Sequence, residues 1–154
     1  MATTVTAATL SVTITEALTL NGVDQGGSHV LSVASVANCH RRIMTCIADT
    51  DIEVLNIAST VDGLSVAGGA MKHLRITNLD TTQYVQVIID AASTNSLAFK
   101  LEAGRSFMWG IGDSSMTVND SAAITGAATL ASLEKITIRA YTDNVDVEIF
   151  TAGT

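Results

Sequence analysis

"RITNLDTTQYVQVIID", residues 75–90, decides how the chain is read: two extended segments flank a short polar break, and neither carries obvious chemistry. Tyr84, Val85, Val87, Ile88 and Ile89 are β-branched or aromatic, which suits a pleated surface better than a helix. The expectation is one strand over 72–77, a turn over 78–82, and a partner strand over 83–90 lying centrally in a sheet. Farther back, at Asp49-Thr50-Asp51, Asp and Thr suit a turn because their side-chain oxygens can accept hydrogen bonds from backbone amides that a sharp bend leaves unpaired.

The same unit recurs on both sides. In "RRIMTCIADTDIEVLNIAS", an apolar segment over 43–48 faces another over 52–57 across Asp49-Thr50-Asp51, which reads as a hairpin. A further hairpin is expected from 97–101 and 105–109 around Ala103-Gly104, with Phe107 and Trp109 on one side. The last joins 135–141 to 145–150, with Asp146, Glu148 and Phe150 forming a solvated face opposite Val145, Val147 and Ile149. Near the start, Leu10, Val12, Ile14, Leu18 and Leu20 alternate with Ser and Thr, which predicts a strand with a buried face ending at Asn21-Gly22. A less regular strand follows over 29–36. Residues 58–70 and 110–132 are rich in small side chains and are expected as long surface loops.

Eight to ten short strands with regular turns and no amphipathic helix predict an all-β fold: an antiparallel β-sandwich of jelly-roll or Greek-key topology. A chain of 154 residues suits one domain over 1–154, with residues 1–9 open to a flexible arm. The expected core comprises Val12, Ile14, Leu18, Ile76, Val85, Val87, Phe99, Leu101, Ile136 and Ile138.

Charged residues make up 15% of the chain, against about 25% in a typical soluble domain. The deficit is filled by Thr, Ser, Ala and Asn, and proline, a common guard of strand edges, is absent. Neighbouring subunits are therefore expected to cover part of the surface, which predicts a homo-oligomer. The formal net charge of -7 and scattered cations argue against nucleic-acid binding, which relies on clustered Lys and Arg contacts to phosphate. No apolar run approaches the roughly 18 residues of a membrane span, and the N-terminus lacks the pattern of an export signal. A soluble product is expected, without a membrane or nucleic-acid partner.

Reactive chemistry is scarce. Cys39 and Cys46, if on one strand, lie ~23 Å apart at about 3.3 Å per residue, beyond disulfide reach, and read as free thiols. His29, His40 and His73 sit at no recognisable metal spacing and read as structural histidines. The glycine-rich stretches match neither a phosphate loop nor a nucleophile elbow, and Gly110-Ile111-Gly112 reads as a turn. Two acidic turns, Asp49-Asp51 with Glu53 and Asp143 with Asp146, lack the twelve-residue calcium pattern, so turn formation is the simpler reading while calcium stays open. No catalytic, cofactor or metal residue is assigned, and no enzyme is expected.

"MKHLRITNLDTTQYVQVII" followed by "SLAFKLEAGRSFMW" resembles a pattern in small β-rich virion proteins of tailed bacteriophages, where an R-I-x-N-L-D strand and turn precede an apolar strand and an L-x-A-G turn leads into an aromatic one. The resemblance covers about residues 41–109. It implies a structural protein of the virion, assembled in the host cytoplasm: a capsid decoration or cement subunit that binds the major capsid protein or other virion proteins, with a trimer favoured by capsid geometry. The alternative is a tail or fibre component acting as a receptor- or glycan-binding module.

Overall fold

The computed structural model describes residues 6–57, 71–91, 95–110, 115–116, 128–129 and 133–154. Two four-stranded antiparallel sheets pack face to face. The strands are β1 (Ala8–Glu16), β2 (Thr19–Leu20), β3 (Val23–Asp24), β4 (Gly27–Val36), β5 (Asn38–Cys46), β6 (Asp51–Asn56), β7 (Met71–Asn78), β8 (Val85–Ala91), β9 (Asn95–Leu101), β10 (Ser106–Gly110), β11 (Ser115–Met116), β12 (Ala128–Thr129), β13 (Leu133–Ala140) and β14 (Val145–Gly153). The first sheet runs β10-β7-β14-β5 and the second β6-β13-β8-β9. Read along the chain, that order is a jelly roll: two nested Greek keys wrapped into a sandwich. Apart from the two-residue pair β11–β12, the expected loops over 58–70 and 110–132 lie outside the described residues or at their margin.

The expected hairpins are a correction. β5 and β6, β7 and β8, β9 and β10, and β13 and β14 do not pair with each other; each couple crosses from one sheet to the other. These four connections are arches. Successive strands face one another through side chains across a core about 10 Å thick instead of sharing a ladder about 4.8 Å wide. Strict alternation serves both arrangements equally, because either one buries every second residue. The β8 strand is central, as expected, paired on one side with β13 and on the other with β9.

Asn78 explains why the chain arches at the opening stretch. It is fully buried at the end of β7, its Nδ2 donates to the Gln83 carbonyl at 2.8 Å and the Leu101 carbonyl at 3.2 Å, and its Oδ1 accepts the Asp80 amide at 3.0 Å. Asp80 Oδ1 then accepts the amides of Thr82 at 2.7 Å and Gln83 at 2.8 Å. Those bonds, led by the one from Gln83, hold the Asp80 carboxyl below its ordinary range. With its backbone amides bonded to these side chains, the bend closes tightly over the end of the sandwich, Asn78 buried and Leu79, Thr81 and Thr82 exposed.

The core contains Cys46, Leu74, Ile76, Trp109, Val145, Val147 and Ile149 from the first sheet, facing Val54, Val85, Val87, Ile89, Leu101, Ile136 and Ile138 from the second. Of the ten residues expected there, Ile76, Val85, Val87, Leu101, Ile136 and Ile138 are buried. Phe99 is only half-buried, against Phe107 at a ring separation of 4.6 Å. Val12 is half-buried too, while Ile14 and Leu18 are 44% and 55% exposed. The reason is that β1 belongs to neither sheet: it pairs with β4 in a separate two-stranded ribbon. The ribbon's far end is closed by the β2–β3 hairpin, whose Asn21 and Gly22 both adopt positive φ, as a tight two-residue turn demands.

Two consequences can be measured by denaturant unfolding. Ile138→Ala, which empties a fully buried site, should cost about 2–5 kcal/mol, whereas Ile14→Ala on the ribbon should cost under about 0.5 kcal/mol. Asn78→Ala should cost about 2 kcal/mol, because it leaves one buried and one partly buried carbonyl without their donors at about 1 kcal/mol each. A near-neutral Asn78→Ala would mean that the arch does not depend on this side chain.

Candidate functional site

The candidate interaction surface is the ribbon together with the sheet edge from which it springs. On β1, Leu10, Val12 and Ile14 lie on one face, opposite Val33, Leu31 and His29 of β4. At the root this apolar face is covered: Val33 is buried, and Leu31 lies so near Gly110 that a Cβ there would meet its Cδ2 at 2.9 Å. Toward the tip the cover ends: Ile14 faces solvent, as do Leu18, Leu20 and Val23 beyond it, while Val30 is exposed on the opposite face beside Thr13. The Lys72 Nζ donates to the Ala34 carbonyl at 3.0 Å and the Ala37 amide to the Gly153 carbonyl at 2.9 Å, fastening the root to the first sheet. An apolar stripe therefore runs from the body of the protein out into water.

His73 sits beneath that root. It is 2% exposed, its ring meets Phe150 edge-on at 5.9 Å, and its Nδ1 has no hydrogen-bond partner. Burial first, and then the positive charge of Arg75, push its pKa below the ordinary 6.5, so the ring is held neutral. His29 and His40 are exposed on β4 and β5, and the three histidines share no site.

Farther along the outer face of the first sheet, Glu148 is only 5% exposed and pairs with two arginines, Arg41 at 2.5 Å and Arg75. The expected solvated face of the last strand holds at Asp146, which is exposed, and is corrected at Glu148: β14 lies between β7 and β5, and the long arginine side chains reach its carboxylate. The Arg41 hydrogen bond is the main cause that holds the Glu148 carboxyl below its ordinary value, with Arg75 adding to it and burial opposing. Next to this triad Ile43 is 60% exposed on β5, an edge strand.

Both cysteines lie on β5. Cys39 is exposed, Cys46 is buried in the core, and the two are free, with burial and then Asp146 pushing the Cys46 thiol up to about 11. Such a thiol stays protonated and inert at neutral pH.

The acidic turns are engaged within the fold. Asp49 and Asp51 both face the Arg139 guanidinium, at 3.7 and 3.3 Å. Asp146 accepts the Thr45 hydroxyl at 2.6 Å, and Asn144 accepts the Ala48 amide at 3.0 Å. They tie neighbouring arches together. Among the described residues no group of three or more His, Cys, Asp or Glu is placed to share a metal ion.

A shallow recess of about 270 Å³ on the second sheet is lined by Tyr84, Gln86, Ala98, Phe99, Lys100 and Tyr141. Sugar rings stack on free aromatic faces, and here the rings are occupied. Lys100 stands 4.1 Å over Tyr84 from the β9 side, Tyr141 approaches Tyr84 at 5.6 Å from the β13 side, and Arg139 lies 5.4 Å from the Tyr141 ring. The Tyr141 hydroxyl is also bonded to Gln86. The cluster knits β13, β8 and β9 together, with Tyr141 left 37% exposed.

No protein-family model, curated protein or solved structure matches the chain.

The pH dependence of stability follows from two groups. A neutral buried His73 refuses a proton that the unfolded chain accepts, so stability falls as pH drops below the ordinary 6.5. Glu148 acts lower: its contribution is full above the ordinary 4.5 and is lost as pH falls through its depressed value. Between about pH 7 and about pH 5 the loss should be mostly that of His73, and His73→Asn should flatten the curve of unfolding midpoint against pH in that window. An unchanged curve would assign the dependence elsewhere.

Proposed function

We propose that the protein is a structural component of a tailed-phage virion, a capsid decoration or cement subunit that acts by binding rather than by catalysis. The observation that carries this reading is the ribbon, a two-stranded extension fastened at one end, whose apolar stripe leaves the body uncovered. An isolated two-stranded ribbon is marginal in water, and clustered exposed apolar side chains mark a contact surface. The similarity of residues 41–109 to small β-rich virion proteins supplies the setting, and the jelly roll is an architecture that viral shells use. The partners proposed are the major capsid protein, or other virion proteins, and further copies of this chain, with a trimer favoured.

A low-charge surface suits such a role. Packing against a neighbour then strips water from few ions, each of which costs several kcal/mol if left unpaired. The test is to purify intact virions and count copies of this chain against the shell protein. Copy numbers near that of the shell protein support a cement subunit. A handful of copies, or none, would overturn it and, in the first case, move the protein to the tail.

A further inference from the structure

We infer that β1 of one copy docks on the β5 edge of a second copy, adding the ribbon to the second copy's first sheet. Among the described residues β1 pairs only with β4, and β5 only with β14, so each strand has one edge without a ladder. Both are nine residues long, and neither contains a proline or lysine to guard that edge.

The side chains select the register. In an antiparallel pairing with Ile14 opposite Ile43 of the second copy, Glu16 falls opposite Arg41 and Leu10 opposite Ile47, all on one face. Ile14, Ile43 and Ile47 are each exposed in the single chain, so this contact covers apolar surface that is otherwise wet. Arg41 keeps 69% side-chain exposure despite its bond to Glu148, and a guanidinium has donors enough for a second carboxylate. Residues 1–40 hold Glu16 and Asp24 and no Lys or Arg, so the ribbon brings no cation toward Arg41 and Arg42.

Other placements fit less well. A parallel pairing through Ile14 and Ile43 keeps an apolar match by setting Leu18 beside Ile47, but it sets Val12 beside Arg41 and Glu16 beside Thr45 and so loses the charge match. Two β1 strands paired about Val12 match Leu10 with Ile14 but leave Glu16 opposite Ala8 and the β5 edge bare. Because β1 and β5 are different surfaces, the contact is head-to-tail, and three copies are one number that closes such a ring. The inference rests on the homo-oligomer part of the proposed function and is tested without any virion, so its failure leaves the copy-number experiment intact.

The experiment traps the contact in full-length protein carrying Cys39→Ser, with the buried Cys46 left in place. Ile14→Cys and Ile43→Cys proteins are mixed and mildly oxidised, and bridged peptides are read by mass spectrometry; Ile14→Cys mixed with Met108→Cys, on the opposite sheet edge, reports random collision. A 14–43 bridge well above the 14–108 level is expected. Bridging no better than the control, or a dominant self-bridge in a Val12→Cys protein, would overturn the pairing. Independently, light scattering at micromolar concentration should give a mass above the 16.0 kDa of one chain, falling to it for Ile14→Lys while core unfolding is unchanged. A wild-type protein at 16.0 kDa, or an Ile14→Lys protein at undiminished mass, would equally sink the proposal.

Discussion

The buried carboxamide of Asn78 holds the sandwich's arched end together. It bonds within its own arch to Gln83 and Asp80 and reaches the next arch at Leu101, while its backbone amide donates to Arg105 on the far side of that arch. The neighbouring Leu79 amide donates to Asp146, where β14 begins. The remaining arch is fastened by Asn144 to Ala48 and by the Asp49 amide to the Ala140 carbonyl. All four crossings thus form one connected hydrogen-bonded end. A sandwich whose sheets share no ladder needs such links, since side-chain packing alone does not fix how one sheet slides over the other.

With that end tied, the opposite end is where the structure opens outward. There β5 begins, β14 finishes beside it at Gly153, and the chain turns at Ala37 from the sheet into the ribbon. The joint is tight: Leu31, Gly110 and His73 leave no room for an extra methyl group, and Gly110 is the residue that permits the approach. Burying a histidine without a partner for Nδ1 carries a desolvation cost, which couples the joint to pH in a way that an apolar residue at position 73 would not.

The sequence was legible where local physics decides the outcome. The strands, the existence of a turn over 78–82 and the Asn21-Gly22 turn follow from β-branched content, polar breaks and a residue pair that tolerates positive φ, whereas the hydrogen bonds of Asn78 and Asp80 are seen only in the fold. Partnership was not legible. The stretch over 72–90 has the same alternation whether its halves share a ladder or face each other across a core, and nothing between 78 and 84 reports the distance to be spanned. Glu148 likewise reads as a solvated position until Arg41, 107 residues away in sequence, is brought beside it. His73 carries no local signal of burial, since the groups packed around it, Phe150 and Gly110, lie on other strands.

Ile14 and Leu18 show the limit most clearly, because alternation states that one face of a strand is to be covered without stating by what. In β8 the cover is the facing sheet of the same molecule. In β1 it is supplied at the root by the first sheet and at the tip by nothing within the described residues. If the ribbon worked alone in water, a polar residue at 14 or 18 would serve it at least as well, and the Thr-rich opposite face shows that such residues suit the strand. An apolar stripe kept out to the tip therefore argues for a surface it meets outside its own fold. The free edge of β1 narrows the kind of surface: an unguarded strand is satisfied best by another strand, and a sheet edge with exposed isoleucines and an arginine is present on every copy of this chain.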